Sequence, residues 1–238
     1  MGTPLLDRNW PRKHPCWKSD SHPLTSHGPC PPWIIAGQPL DLLEHSMKTA
    51  LIVGHPDLRT SRINAALVEE SRSIEDVHTR VLSDLYGADS LDIQAEQDAI
   101  AGADHIVLQY PTFWYAMPSI LKRWLDEVLT RGWAYGTGTP GALAGKTLRI
   151  VTTTGGAFEG YGTDGLHGWE YEAMLVPLKA TARRLGMVWQ EPLVIHGVRE
   201  LDDAGMRRIR SSFHELLTET PEEHQPVENL SPFEPANS

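Results

Sequence analysis

The pattern of apolar and polar residues changes character at Met47. From there to about residue 217, short apolar runs alternate with longer stretches in which apolar residues recur at helical spacing. The runs predict strands at residues 48–54, 77–83, 104–110, 147–153 and 188–195. The periodic stretches predict helices at residues 61–72, 92–101, 118–130, 169–186 and 202–217. Such alternation predicts an α/β fold in which helices cover both faces of a five-stranded parallel sheet. Pro177 should kink or divide the fourth helix.

The two ends of the chain differ in composition from this middle part. Residues 1–46 hold eight of the 18 prolines, and a segment such as residues 28–32 forms neither a helix nor an interior strand. We therefore expect one domain at residues 47–218, followed by an acidic tail at residues 219–238. Residues 1–46 are expected to be a poorly ordered extension or an arm that packs on a partner subunit. The anchors of such an arm would be Trp10, Trp17 and Trp33.

Charge and cysteine content exclude several classes of function. The formal net charge of -10 argues against nucleic-acid binding, because phosphate backbones attract basic surfaces. Both cysteines, Cys16 and Cys30, precede Met47, so the predicted domain has no disulfide and no cysteine ligand for a metal. No metal is expected. No apolar run approaches the roughly 20 residues of a membrane-spanning helix, which predicts a cytoplasmic protein.

Three predicted loops follow strands, at the edge where ligands bind in parallel sheets covered by helices. Residues 54–64 open a helix with hydroxyl and amide side chains, which can bind a phosphate or simply cap the helix. Residues 109–118 include four aromatic residues, which suit a flat heteroaromatic ligand or a hydrophobic plug. Residues 152–162 contain adjacent glycines, which admit a ligand close to the backbone or form a flexible turn.

Five segments between Met47 and Val198 carry the motifs of one known family. They are Gly54-His55-Pro56, Ser61-Arg62-Ile63-Asn64, Gln109-Tyr110-Pro111 with Trp114-Tyr115, Gly132-Trp133-Ala134-Tyr135-Gly136 and Thr153-Thr154-Gly155-Gly156. These segments resemble the flavodoxin-like NAD(P)H:quinone oxidoreductases. The bacterial ancillary flavoproteins of glutathione-gated potassium efflux are the nearer match, and DT-diaphorase is a more distant one. The resemblance implies a flavodoxin-like three-layer sandwich with strand order 2-1-3-4-5.

The resemblance also implies FMN as the cofactor, with FAD as an alternative, and assigns residues to it. The residues that would hold the phosphate and ribityl chain are His55, Ser61, Arg62, Ile63 and Asn64. Those that would flank the isoalloxazine ring are Thr112, Phe113, Trp114 and Tyr115. Those that would line its pyrimidine side are Thr153, Thr154, Gly155 and Gly156.

The implied activity is hydride transfer from NAD(P)H, through the flavin, to a quinone or another electrophilic acceptor. Tyr161 and His167 have the spacing of a catalytic pair in the resembled enzymes. They can also be interpreted as a lid residue and a helix-start residue without catalytic duty. The family is typically homodimeric, so Trp133 and Tyr135 would form an aromatic wall of the substrate site in the partner chain.

Two alternative functions remain open at this point. The first is a regulatory flavoprotein subunit that has a membrane potassium efflux antiporter as its partner. The second is a one-electron carrier of the flavodoxin type.

Overall fold

The computed structural model of the chain describes residues 47–87 and 89–219. The expectations for residues 1–46 and 220–238 lie outside these residues. The described part contains six strands, which are β1 (Thr49–Val53), β2 (Val77–Val81), β3 (His105–Pro111), β4 (Thr147–Thr153), β5 (Val188–Trp189) and β6 (Leu193–Ile195). Its helices are α1 (Arg62–Ser71), α2 (Leu82–Leu85), α3 (Ile93–Ala101), α4 (Ser119–Val128), α5 (Tyr171–Leu185) and α6 (Asp203–Thr218), with 3₁₀ turns at Leu58–Thr60 and Phe158–Gly160.

All strand pairs in the sheet are parallel. The order is β2-β1-β3-β4-β5, and β6 also pairs with β4. The predicted order 2-1-3-4-5 is therefore confirmed. Every residue of β1 and β3 is buried, because both faces of the central strands are covered by helices.

Two apolar clusters form the two layers of the core. On one face of the sheet, side chains such as Ile52, Leu108 and Ile150 pack with α3, α4 and α5. On the other face, Leu51 and Val107 pack with α1 and α6. Alternate strand residues therefore supply opposite clusters, as the period of two along a strand requires.

The predicted fifth strand at residues 188–195 is wrong as one continuous strand. Leu148 of β4 pairs with Trp189, whereas Val151 pairs with Leu193. Three steps along β4 thus face four steps along its neighbour, so one extra residue is inserted as in a β-bulge. Pro192 lies in the insertion, and its missing N–H cannot contribute to the ladder.

One strand boundary and the continuity of one helix also differ from the sequence predictions. The strand predicted at residues 77–83 ends at Val81, because the short helix α2 begins at Leu82. Helix α5 runs through Pro177 without a break, so the division expected there is wrong, whereas the kink stays a prediction. The proline removes one backbone donor, while Leu175 and Leu178 on either side of it are buried in the core and hold the helix in place.

Candidate functional site

The loops after β1, β3, β4 and β6 meet at one edge of the sheet, because the carboxyl ends of parallel strands share an edge. Backbone hydrogen bonds join them: Gly54 N–H donates to the Gln109 carbonyl oxygen at 2.8 Å, and Thr112 N–H donates to that of Thr153 at 2.8 Å. All predicted site residues except Trp133 and Tyr135 belong to these loops or to the adjoining ends of β4 and α1.

The first loop presents backbone donors at the start of α1. The Ser61 side chain caps this helix by accepting the N–H of Asn64 at 3.3 Å. Among the described residues, the N–H groups of Arg62 and Ile63 find no acceptor, as is usual in the first turn of a helix. Together with the helix dipole, these two donors form a ready anion site.

His55, in the loop that leads from β1 toward this helix, is buried. The backbone N–H of Asp57 donates to His55 Nδ1 at 3.1 Å, so the neutral ring carries its proton on Nε2. Burial lowers the pKa of His55 below its ordinary value, with a smaller opposing effect of Asp57. His55 is therefore neutral near pH 7 and offers an N–H donor from Nε2.

Asn64 connects the first loop with the third. It is buried, and its Nδ2 donates to Thr153 Oγ1 at 3.0 Å and to Ser61 Oγ at 3.1 Å. The Gln109 amide also donates to the Asn64 carbonyl oxygen at 3.1 Å. The Asn64 side chain thus holds the loops together.

Arg62 and Ile63 use their side chains within the protein. The Arg62 guanidinium donates to the Leu201 carbonyl oxygen at 2.8 Å and to the Asp203 carboxylate at 2.6 Å, at the start of α6. Ile63 is buried in the core. What both residues can offer a ligand at this edge is their backbone N–H.

The second loop is a tight turn that exposes aromatic rings. Phe113 and Ala116 exchange backbone hydrogen bonds of 2.9 and 3.1 Å, and Trp114 and Tyr115 adopt positive φ angles of 47° and 63°. Such angles are unfavourable for aromatic residues, so the turn carries strain. Trp114 is 92% exposed, so it does not form a plug over the sheet.

More large apolar side chains are exposed around this turn than elsewhere in the described residues. Ten are exposed in all, and six of them lie in the loops after β3 and β4. These six are Phe113, Trp114, Tyr115, Phe158, Leu166 and Trp169. Concentrated apolar exposure of this kind marks a ligand site or a protein interface.

The third loop brings two buried hydroxyls and a glycine turn to the same edge. Thr153 and Thr154 are buried. A Cβ added to Gly156 would lie 2.8 Å from His167 Nε2, which is closer than real Cβ contacts. Glycine at position 156 therefore allows the His167 ring to lie against the backbone.

Tyr161 and His167 form a close pair. Their ring centroids are 4.3 Å apart at an interplanar angle of 30°. The Tyr115 hydroxyl lies 3.4 Å from His167 Nδ1, which joins the second loop to the third. A phenol and an imidazole thus stand together beside the exposed aromatic turn.

Sequence reasoning missed three residues that contact this site. The Tyr171 hydroxyl interacts with Thr112 Oγ1 at 2.5 Å, and burial raises its pKa. His196 contacts the Tyr161 ring at 5.0 Å between centroids. The Arg199 guanidinium lies against Gly155, 3.4 Å from the position of a Cβ there. His196 directly follows β6, so the rule that ligands bind beyond strand ends could have found it.

Trp133 and Tyr135 lie elsewhere in the described chain. Both are partly buried against the core cluster that includes α4 and α5. The Arg184 guanidinium lies over the Tyr135 ring at 5.3 Å from its centroid. Their predicted role in a partner's substrate site stays a prediction.

In residues 47–87 and 89–219, no group of three or more His, Cys, Asp or Glu side chains is arranged to hold a metal ion. No helix there combines the length and apolar character needed to cross a bilayer.

A sequence profile of the Flavodoxin_2 family, described as "Flavodoxin-like fold", matches residues 47–217. The chain belongs to this family, and the fold expected from the resemblance is confirmed.

Three solved structures are similar to the chain. A structure named as a thermophilic tryptophan halogenase from Streptomycin violaceusniger is 28% identical with a TM-score of 0.69, over 72% of this chain and 99% of its own. An NADPH-quinone reductase from P. pentosaceus is 26% identical with a TM-score of 0.66, and the match covers 73% of this chain and 99% of the reductase chain. General stress protein 14 from Treponema denticola, in complex with FMN, is 30% identical with a TM-score of 0.65, and the match covers 71% of this chain and 95% of the stress-protein chain.

Proposed function

We propose that the chain is an FMN-dependent NAD(P)H oxidoreductase with a quinone-like acceptor. The observation that carries the proposal is the meeting of an anion-binding helix start, an exposed aromatic turn and the Tyr161–His167 pair at one edge of the sheet. The similar structures support it, since one is named as an NADPH-quinone reductase and another contains FMN. One of them is named as a halogenase, so the reaction must be argued from the site and not from the fold.

The residues present fit FMN. The unpaired N–H groups of Arg62 and Ile63 and the Nε2–H of His55 are donors suited to its phosphate. The exposed ring of Trp114 suits the isoalloxazine system. Arg199 and His167 lie against Gly155 and Gly156, so the role of these glycines at the pyrimidine side stays a prediction. The same features would also accept the flavin part of FAD.

A flavin held there supplies hydride transfer between NAD(P)H and a two-electron acceptor. The protein's part is to bind and orient, and to manage the proton at the acceptor. Negative charge develops on a quinone oxygen as it receives hydride. The Tyr161 hydroxyl and a His167 N–H can stabilise this charge and donate a proton to that oxygen.

We propose that the chain acts as a homodimer in which the exposed apolar side chains around the site meet a second copy. The concentration of exposed aromatic residues there supports this. Trp133 and Tyr135 would then lie beside the partner's acceptor.

The test of the cofactor is the absorbance spectrum of the purified protein, before and after addition of FMN. We expect flavin bands that bleach when NADPH or NADH is added without oxygen and return when a quinone follows. A protein without flavin bands that also fails to bind added FMN would refute the proposal.

The test of the acceptor chemistry is the double variant Tyr161→Phe with His167→Gln. We expect it to keep bound FMN and its reduction by NAD(P)H, and to lose most quinone turnover. Parental quinone turnover would refute the roles of this pair.

The antiporter-subunit and one-electron-carrier interpretations, and the cytoplasmic location, stay predictions. Co-purification with a potassium antiporter would favour the first of these, and a stable one-electron-reduced spectrum would favour the second.

A further inference from the structure

Tyr161 contacts a second histidine that the proposed function does not use. The ring centroid of His196 lies 5.0 Å from that of Tyr161, at an interplanar angle of 54°. His196 also makes T-shaped ring contacts with Tyr171 and Phe158, with centroid distances of 5.4 and 5.5 Å. The proposed proton donor Tyr161 thus packs on a ring from the loop after β6.

The bulge between β5 and β6 sets the position of His196. Thr153 pairs with Ile195, so the next residues, Thr154 and His196, lie side by side at the strand ends. Thr154 N–H donates to the Ile195 carbonyl oxygen at 2.8 Å, and Gly197 N–H donates to that of Gly156 at 2.9 Å. Both neighbours of His196 are therefore fixed to the third loop by backbone hydrogen bonds.

A count of hydrogens assigns the tautomer of His196. The single hydroxyl hydrogen of Thr154 is donated to the Gly156 carbonyl oxygen at 2.8 Å. Thr154 Oγ1 lies 3.2 Å from His196 Nδ1 and has no second hydrogen to donate, so Nδ1–H is the donor and Oγ1 the acceptor of this hydrogen bond. Burial lowers the pKa of His196, against smaller opposing effects of Glu172 and Glu159, so the ring is neutral near pH 7.

We propose that His196 is a positioning residue for acceptor reduction: its ring supports Tyr161, and the hydrogen bond from its Nδ1–H to Thr154 Oγ1 holds that ring in place. The role rests on the proposed function, in which Tyr161 serves the acceptor. A small displacement of an oriented group lowers the rate strongly, by up to about a hundredfold for 1 Å. Within the described residues, Thr154 is the one residue assigned to FMN that His196 contacts, and backbone hydrogen bonds to Ile195 and Val198 hold Thr154 independently of the His196 ring, so loss of that ring should spare FMN binding.

The kinetic test compares His196→Leu, which removes both ring and donor, with His196→Asn, which keeps an N–H at the Nδ1 position. We expect the leucine variant to lose about tenfold in quinone kcat, with FMN affinity and the rate of flavin reduction by NAD(P)H within about twofold of the parent. The asparagine variant should recover part of the loss. His78→Asn, which changes an exposed histidine on β2, is the matched control. Unchanged quinone kcat in His196→Leu, or an equal loss in FMN affinity, would overturn the proposal.

The second test needs no FMN. Long-range ¹H–¹⁵N spectra of the FMN-free protein report which nitrogen of each histidine carries the proton, and the signal that His196→Asn removes identifies His196. We expect protonated Nδ1 and unprotonated Nε2; the opposite tautomer would overturn the hydrogen bond to Thr154. Should the leucine variant fail to unfold cooperatively, His196→Phe replaces it, because phenylalanine keeps the ring and lacks the N–H. Absence of FMN binding in the parent would refute the proposed function, whereas the tautomer is measured independently of it.

Discussion

The His55 Nε2–H donor offers the sharpest perturbation of the proposed phosphate site. The Asp57 N–H holds His55 Nδ1 as an acceptor, so Nε2 is the nitrogen that can donate to a ligand. In His55→Asn the side chain reaches only to the Nδ1 position, where its oxygen can still accept the Asp57 N–H. In His55→Gln the amide reaches to the Nε2 position and can still donate. The two variants therefore separate the donor from the local fold.

The expected magnitude follows from the burial of this ring. His55 is 5% exposed, so a hydrogen bond from it to a phosphate would form away from bulk water. A hydrogen bond to a charged group contributes about 1.5–3 kcal/mol, which corresponds to about a 10- to 150-fold rise in the FMN dissociation constant for His55→Asn. His55→Gln is expected to stay within about fivefold of the parent, because it keeps a donor.

The assay is titration of FMN-free protein with FMN at fixed ionic strength, followed by quenching of flavin fluorescence. Urea unfolding of both FMN-free variants checks that they are folded. If His55→Asn binds FMN as tightly as the parent, the donor role is wrong. If His55→Gln weakens binding as much as His55→Asn does, the shape of the ring matters and the donor does not.

Two predictions concern stability. Glu96 is fully buried and accepts hydrogen bonds from Arg80, Tyr86 and Trp124. In Glu96→Ala these donors lose their acceptor, so the free energy of unfolding should fall by about 3 kcal/mol. For a domain of this size the corresponding fall in Tm is about 6–12 °C. Burial lowers the pKa of His55, His105 and His196 from the ordinary value of 6.5, so stability should fall as the pH drops below 6.5. Below that pH the unfolded chain binds protons that the folded chain resists, whereas above it all three rings are neutral in both states.

Urea unfolding measures both effects. For Glu96, the double variant Arg80→Met with Glu96→Leu should recover part of the loss, because it removes the Arg80 charge as well, while Tyr86 and Trp124 still lack their acceptor. A loss below about 1 kcal/mol in Glu96→Ala would contradict the account of this cluster. For the histidines, midpoints at pH 7.5 and 5.5 are compared, a window in which carboxylates stay ionised. His105→Gln should reduce the difference, and stability that rises toward pH 5.5 would contradict the argument.

Much of the fold could be predicted because its signals are local. The strands predicted at residues 48–54 and 104–110 match β1 and β3 to within one residue at each end, since short apolar runs indicate strands covered on both faces. The bulge before Leu193 could not be predicted in this way. An extra residue in an apolar stretch leaves the local pattern nearly unchanged, and only pairing with β4 reveals it.

In the candidate site, the sequence predicted which types of residue are present but not which residues they contact. The sequence identified the hydroxyl and amide residues after β1 but not their hydrogen-bond partners within the protein. The Asn64 side chain donates to Thr153, and the Arg62 side chain donates to Asp203 of α6. These partners are 89 and 141 residues away along the chain, a separation that no local pattern encodes.

The sequence by itself determined the alternation of strands and helices, and with it the edge of the sheet at which a ligand can bind, because hydrophobic periodicity depends only on neighbouring residues. The tertiary structure decided which side chains face that edge and which are used to hold it together. The resemblance to quinone oxidoreductases implied Tyr161 and His167 as a pair, and the structure brings their rings together. His196 contacts Tyr161 because the bulge sets the register of β6 against β4. A shift of one residue along the strand would turn every side chain to the opposite face of the sheet.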